Sequence, residues 1–175
     1  GGAQRGGSTI TQQVIKNATG NNQPTIKRKV TEIFQALRFY KNYSREETLT
    51  FYLNLVYFGN HSYGIQAAAE NYFGKDAKDL TVAEGAAIVG ITQYPYLYDP
   101  SRQGTLDSGK TFREKNKERQ ETVLYKMHEL GYLDDAAYEA AVNELLVFVW
   151  DDNYVPSDRS KEKVAETAAE EFDPY

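Results

Sequence analysis

The sequence predicts a mainly α fold. Apolar residues recur at helical spacing between residues 26 and 41, and two other stretches place a capping box directly before a helical run. Only one short stretch near the end has the composition of a β-strand. A chain of 175 residues is long enough for one domain with a hydrophobic core, with or without an appendage.

The first predicted helix begins at Ser8 or Thr9, within the sequence GGSTITQQ. Lys16 follows Gln12 by four residues, so a helix places both side chains on one face. Unpaired backbone amides at a helix start, the amides of Gln12 and Gln13 and a lysine one turn later suit a sugar-pyrophosphate ligand. From these residues alone, an ordinary capped surface helix is the alternative.

Residues 26–41 are predicted to form an amphipathic helix. Its apolar positions are Ile26, Val30, Ile33, Phe34 and Leu37. The other face carries Arg28, Lys29 and Glu32, of which Arg28 and Glu32 are four residues apart. This face is either a solvent-exposed set of ion pairs or a phosphate-binding pair of cations oriented by a carboxylate.

The remaining elements are predicted from caps, glycines and prolines. Ser44 and Glu47 form a capping box before a helix with Leu49, Tyr52, Leu53 and Val56 as its buried stripe. The later elements are a loop at 57–64 with His61 as a loop residue, a helix at 65–72, a helix at 82–92 capped by Thr81 and Glu84, an extended segment at 94–100, a long helix at 111–130 closed by Gly131, a helix at 136–146 capped by Asp134 or Asp135, a strand or extended linker at 147–150, and a terminal helix at 157–171.

Composition narrows the function classes. The chain has no cysteine and two histidines, which excludes disulfides and makes a histidine-based metal site a poor expectation. No run of 18 apolar residues occurs. Residues 1–48 contain eight Lys or Arg against three acids, whereas residues 150–175 contain three against eight. The basic half indicates an anionic partner, such as phosphate, nucleic acid or membrane headgroups.

Several motifs in order resemble the peptidoglycan glycosyltransferases of class A penicillin-binding proteins and monofunctional transglycosylases. GGSTITQQ resembles the second motif of that family, and Arg28 to Glu32 match its third, RKxxE. Residues 48–54 resemble the fourth, ILExYLN, with Thr50 in place of the glutamate. Next comes the string YFGNxxYGIxxAAxxYFGK, which also resembles the family. The fifth motif, RxxxVL, begins at Arg119, so the motifs occur in the family's order. Without the other motifs, Arg119 would be one more exposed helix charge.

The resemblance implies a mechanism and a set of site residues. The family polymerises lipid II into glycan strands and releases undecaprenyl pyrophosphate. Positioned cations stabilise the leaving pyrophosphate. The substrate-binding residues implied are Ser8, Gln12, Gln13, Lys16, Arg28, Lys29, Asn54 and Arg119. Glu32 is the catalytic candidate, because it would orient Arg28 or Lys29 or assist departure of the leaving group.

The same resemblance implies a fold and domain boundaries. It predicts a lysozyme-like helical lobe with a small flexible membrane-facing jaw near residues 17–25. Residues 1–146 would form the glycosyltransferase domain, and residues 147–175 a linker or C-terminal extension toward a transpeptidase domain. The transpeptidase motifs SxxK, SxN and KTG do not follow, so no β-lactam site is expected in this chain.

Two departures from the family pattern bear on activity. The first motif, EDxxFxxHxG, contains the catalytic base and is absent from a sequence that opens at Gly1 without Met, which suggests a fragment. General-base catalysis contributes about 100- to 10,000-fold, so the fragment itself is expected to be nearly inactive. Residues 21–24 also stand where many relatives have an arginine, so one pyrophosphate contact is either missing or supplied by Lys27.

The expected partners are lipid II, the nascent glycan strand, an anionic membrane surface at the outer face of the bacterial cytoplasmic membrane, and other cell-wall synthesis proteins. No nucleic acid and no required cofactor are expected, and a role for a divalent cation stays open. Two alternatives remain from the residues. A lysozyme-like lytic enzyme needs a general acid but no basic pyrophosphate cradle, and a binding module for anionic membrane or nucleic acid would need only the basic half.

Overall fold

The computed structural model of this chain describes residues 9–19, 35–36, 38–39 and 41–156. They belong to two compact units, Gly1–Val56 and Tyr57–Tyr175. The helices are α1 (Ile10–Thr19), α2 (Arg45–Leu55), α3 (Ile65–Phe73), a 3₁₀ turn (Ala77–Asp79), α4 (Val82–Ile91), α5 (Pro95–Tyr98), α6 (Phe112–Glu129) and α7 (Asp135–Asn143). The described ranges contain no strand, which confirms the mainly α prediction.

In the first unit, α1 packs against α2. α1 buries Val14 and Ile15, which lie on one face of the helix. α2 begins at the predicted capping box, which is confirmed. The Ser44 hydroxyl accepts from the backbone N–H of Glu47, and the Glu47 carboxylate accepts from that of Ser44. The hydrogen bond from the Ser44 backbone N–H to the carboxylate is the largest cause that lowers the pKa of Glu47.

The predicted buried stripe of α2 is wrong at Leu49, whose side chain is 45% exposed. Thr48 is buried instead, and Tyr52 and Leu53 are half-buried, while Val56 is buried as predicted. A buried threonine is tolerated here because its hydroxyl donates to a backbone carbonyl at 2.8 Å. The face that α2 buries is therefore set by its packing partners and not by its most apolar positions.

The second unit contains α3 to α7; its caps at Thr81 and Asp134 agree with the sequence predictions, whereas the capping box at Thr111 was not predicted. α4 begins at the capping box of Thr81 and Glu84, and α6 begins at the one formed by Thr111 and Glu114. Gly131 follows α6 with φ +78°, the left-handed conformation that ends a helix and suits glycine. α7 begins one residue earlier than predicted, after its cap, and ends three residues earlier, at Asn143.

Two buried amides fasten α6 to α4. Asn116 donates to the carbonyls of Ala87 at 3.1 Å and Tyr98 at 2.9 Å, and Gln120 donates to the carbonyl of Ala83 at 2.9 Å. Both amide side chains are at most 1% exposed. The small residues of α4 bring its backbone within reach of these side chains, so the helix pair is joined by side-chain hydrogen bonds as well as by apolar contact.

The segment at 94–100 differs from its prediction, because residues Pro95–Tyr98 form the short helix α5. Pro95 occupies a first-turn position, where the missing N–H costs nothing and the fixed φ suits a helix. Of the two alternatives predicted for residues 147–150, a strand or an extended linker, the strand does not form. These residues run beside α3, where the backbone N–H of Val149 donates to the carbonyl of Tyr72 at 3.0 Å.

Phe148 closes the core of the second unit. Its side chain is 2% exposed. The ring stacks on Phe73 with centroids 5.0 Å apart and on Trp150 at 4.9 Å. The guanidinium of Arg113 lies 4.8 Å from the Phe148 ring centre. Residues that follow α7 are thus packed on α3 and α6.

Parts of two predicted helices lie outside the described residues. Of the helix predicted at 26–41, the described positions are helical at 35–36, 38–39 and 41. The helix predicted at 157–171 lies beyond the described ranges. None of the helices within those ranges is long and apolar enough to cross a bilayer.

An acid-sensitive contact ties residue 151 to α6. Asp151 accepts from both terminal nitrogens of Arg113 at 2.7 and 2.8 Å and from the N–H of Phe148 at 2.9 Å. The Arg113 hydrogen bond, more than any other contact, holds the pKa of Asp151 below its ordinary value. Because the folded-state pKa is depressed, this contribution is complete above about pH 4 and is lost as the pH falls further.

We expect Asp151→Asn to lower the free energy of unfolding by about 1 kcal/mol at pH 7, because Arg113 is partly exposed and water screens the pair. At acid pH the difference between variant and wild type should shrink. Urea unfolding at pH 7 and pH 3 measures it. Asp152→Asn, which alters an exposed neighbouring carboxylate, is the control. An unchanged difference at pH 3 would contradict the assignment.

Candidate functional site

The predicted ligand-binding helix start exists as α1, and Thr9 is its cap. The N–H of Gln12 donates to the Thr9 hydroxyl at 3.2 Å, and the Gln12 amide oxygen accepts from the N–H of Thr9 at 3.2 Å. This is the reciprocal geometry of a capping box. The Gln12 side-chain oxygen therefore helps to fix the helix start, a role that the ligand prediction did not include.

α1 separates a buried face from a polar face. Thr11, Val14 and Ile15 are buried, whereas Gln12 and Gln13 are half-buried and Lys16 is exposed. The polar residues of the predicted site thus stay within reach of solvent. The Thr11 hydroxyl is buried and has no hydrogen-bond partner in the described residues.

Asn54 lies near the end of α2, the helix that packs on α1. Its side-chain amide donates to the carbonyl of Thr50 at 2.8 Å, one turn back on the same helix. The side chain is exposed, and its amide oxygen still has acceptor capacity. Thr50, which replaces the family's glutamate, is exposed as well.

Arg119 lies in the second unit, on α6. It is half-buried, and its Nε is buried without a hydrogen-bond partner in the described residues. Its Cγ fits against Gly90 of α4, where an added Cβ would stand 2.9 Å from it. A buried N–H with no acceptor is costly, so the Arg119 Nε is a polar group that the contacts within the described residues leave unsatisfied.

Gln12, Gln13 and Lys16 thus lie on α1 and Asn54 lies on α2, and these two helices of the first unit pack against each other. Arg119 belongs to the second unit. The other predicted site residues, Ser8, Arg28, Lys29 and Glu32, lie outside the described residues. Within the described ranges no three His, Cys, Asp or Glu side chains gather as a metal site.

A buried carboxylate that the sequence analysis missed organises the loop after α2. Asp99 is 6% exposed and accepts from the Tyr72 hydroxyl at 2.8 Å, from the N–H of Asn60 at 2.9 Å, and from the N–H and hydroxyl of Ser101 at 3.0 and 2.6 Å. Burial, and next the negative charge of Asp99, raise the pKa of Tyr72 well above its ordinary value. The phenol therefore stays a donor.

The loop that Asp99 holds has an unusual backbone. Gly59, Asn60 and His61 have φ values of +79°, +40° and +56°. Left-handed non-glycine residues cost energy and persist where surrounding contacts fix them, often at functional sites. A Cβ on Gly59 would stand 2.6 Å from an Asp99 oxygen. The glycine in the YFGN string was the available sequence signal, since it indicates a close approach without naming the partner.

Tyrosine side chains stand at the surface on either side of this network. Tyr57 and Tyr63 are 38% and 70% exposed, with ring centroids 4.8 Å apart. Tyr94 and Tyr96 are 54% and 60% exposed, with ring centroids 6.1 Å apart. His61, between the first pair in sequence, is an exposed loop residue, as predicted.

Comparison with known proteins agrees with these motifs. The family model described as Transglycosylase matches residues 1–128. Penicillin-binding protein 1A of Clostridium perfringens is 42% identical over 141 residues, which cover 81% of this chain and 20% of that protein. Penicillin-binding protein 1A of Pseudomonas aeruginosa is 41% identical over 144 residues, which cover 82% of this chain and 16% of that protein. Penicillin-binding protein 1F of Bacillus subtilis is 43% identical over 133 residues, which cover 76% of this chain and 17% of that protein.

This chain also aligns with a crystal structure of penicillin-binding protein 1A from Haemophilus influenzae. The alignment covers 94% of this chain and 20% of the Haemophilus chain, at 25% sequence identity and a TM-score of 0.49. The chain spans about a fifth or less of the length of the curated relatives named above. The family assignment rests on the sequence matches, which cover most of the chain. This chain belongs to the transglycosylase family found in penicillin-binding proteins.

Proposed function

We propose that this chain contributes the substrate-binding part of a peptidoglycan glycosyltransferase that polymerises lipid II and releases undecaprenyl pyrophosphate. The observation that carries the proposal is α1, whose capped start presents Gln12, Gln13 and Lys16 toward solvent in a chain of the transglycosylase family. The N-terminal end of a helix favours anions, and a lysine one turn later adds a positive charge.

The proposed chemistry follows from the leaving group. The 4-hydroxyl of one sugar attacks the anomeric carbon of the growing chain, and the bond to the pyrophosphate breaks. The departing pyrophosphate accumulates negative charge, so cations placed beside it lower the barrier. Lys16, Arg28, Lys29 and Arg119 are assigned this work, and Glu32 is assigned the orientation of Arg28 or Lys29.

The base that receives the hydroxyl proton is assigned to the first-motif glutamate of the family, which is not among the printed residues. Residues Gln12, Gln13, Ser8 and Asn54 are assigned to hydrogen bonds with the sugar or phosphate, since amides and hydroxyls both donate and accept. The reaction is proposed for the outer face of the cytoplasmic membrane, where lipid II and the nascent strand are the partners. No cofactor is assigned.

Binding of a water-soluble lipid II analogue with a shortened prenyl chain tests the cation assignments. We expect Lys29→Ala and Lys16→Ala each to weaken binding by about 10- to 100-fold, because each removes a charge-assisted contact with the pyrophosphate. Calorimetric titration of the wild type and both variants measures the change.

Lys78→Ala is the matched control, because Lys78 is an exposed lysine of the second unit outside the proposed site. The control should bind as the wild type does. If Lys29→Ala also binds as tightly as the wild type, the pyrophosphate is not held by the third-motif residues. If the wild type shows no saturable binding, the proposed function fails for this chain.

A further inference from the structure

The turn formed by residues 94–102 presents two tyrosines and an arginine at the surface. Tyr94 and Tyr96 are 54% and 60% exposed, and their rings are 6.1 Å apart and tilted by 37°. The guanidinium of Arg102 lies 4.2 Å from the centre of the Tyr96 ring and 4.9 Å from that of Phe112. No hydrogen bond to either tyrosine hydroxyl occurs within the described residues.

Three local features restrain the backbone of residues 95–99, which lies next to these side chains. Pro95 fixes the first turn of α5, and the Tyr98 carbonyl that ends it accepts from the buried amide of Asn116 at 2.9 Å. Asp99, the next residue, is tied to Tyr72 and Ser101. The exposed rings therefore stand on a rigid base, so little backbone freedom would be lost when a ligand binds them.

The ring chemistry selects the ligand. An exposed tyrosine offers a flat apolar face and a hydroxyl that both donates and accepts, a combination that suits a partner with one apolar face and a polar edge. A pyranose ring has this character. Arg102 contributes fixed donors beside the rings for sugar hydroxyls or carboxylates.

We propose that Tyr94, Tyr96 and Arg102 form a binding platform for the saccharide rings of a glycan strand, and that this platform uses none of the residues assigned to the pyrophosphate. This inference rests on the proposed function, which makes a glycan polymer the product. A polymerising enzyme gains from a second contact with its strand, because the tethered strand remains at high effective concentration. The platform recognises sugar rings and requires neither the prenyl chain nor the pyrophosphate.

The probe is the tetrasaccharide of β-1,4-linked N-acetylglucosamine, which contains no lipid, peptide or phosphate. NMR titration of the intact chain should show saturable shifts of amide signals in residues 94–102. We expect the double variant Tyr94→Ala/Tyr96→Ala to weaken tetrasaccharide binding about tenfold or more, because it removes both ring faces.

Tyr125→Ala is the matched control. Tyr125 is 50% exposed in the same unit and has its own cation, Lys126, 5.7 Å from the ring centre, but among the described residues its ring pairs with no second tyrosine. It should bind the tetrasaccharide as the wild type does. Because all three tyrosines are exposed, circular dichroism should show the folded spectrum for every variant.

Two results would overturn the platform: no tetrasaccharide binding by the wild type, or equal binding by the wild type and the double variant. The proposed function fails separately, because it depends on the lipid II analogue and on Lys16 and Lys29. A chain that binds the analogue but not the tetrasaccharide retains the proposed function and loses the platform. A chain that binds neither loses both.

Discussion

Replacing Asp99 by alanine should lower the free energy of unfolding of the second unit by about 3 kcal/mol. The change removes the acceptor of two backbone N–H groups, those of Asn60 and Ser101, and one acceptor of the Tyr72 phenol. Each buried donor left without a partner costs about 1–3 kcal/mol, and entering water recovers part of that loss. Urea unfolding followed by Trp150 fluorescence measures it, because Trp150 lies against Tyr72.

Two further variants separate the carboxylate's role from a general effect of losing a charge. Asp152→Ala removes an exposed carboxylate of the same unit and should change stability by less than about 0.5 kcal/mol. Gly59→Ala keeps the Asp99 side chain but should also destabilise the unit, because the new Cβ would stand 2.6 Å from the Asp99 carboxylate oxygen, at a backbone φ of +79°. If Asp99→Ala unfolds like Asp152→Ala, Asp99 does not hold the loop.

Replacing Phe148 by alanine should cost about 3–5 kcal/mol, the range for truncating a buried aromatic ring. The ring is 2% exposed and lies against Phe73, Trp150 and Arg113, so alanine leaves a cavity lined by groups that α3 and α6 hold in place. Far-ultraviolet circular dichroism in urea is the suitable measurement, since Trp150 itself contacts the mutated side chain.

Leu145→Ala is the control for this change, because Leu145 is 78% exposed three residues earlier. It should unfold at nearly the same urea concentration as the wild type. The comparison also bears on the domain boundary predicted after Leu146, which remains a prediction. A large loss for Phe148→Ala would place residue 148 within the cooperative unit, and equal stability of both variants would leave it in the linker.

The helix α1, which carries part of the candidate site, was predictable because the signals for its start are local. Thr9 caps α1 and Gln12 lies four residues before Lys16, and neither statement needs information from elsewhere in the chain. Asp99 was not predictable in this way. Its carboxylate accepts a hydrogen bond from the N–H of Asn60, which lies 39 residues away in the sequence. The sequence around Asp99 looks like that of any aspartate in a turn, so it does not reveal this distant partner.

By itself, the sequence predicted the longer helices of the described ranges, most of their starts and the family, but not the short helix α5. Capping boxes at Ser44, Thr81 and Thr111 and the glycine at 131 act within a few residues, so local hydrogen bonds fix them. Only the tertiary structure decided which side chains are buried and which contacts hold the left-handed backbone at Asn60 and His61. The exposure of Leu49, the buried ring of Phe148 and the carboxylate of Asp99 depend on partners far along the chain, because packing and burial are properties of surfaces that meet only after folding.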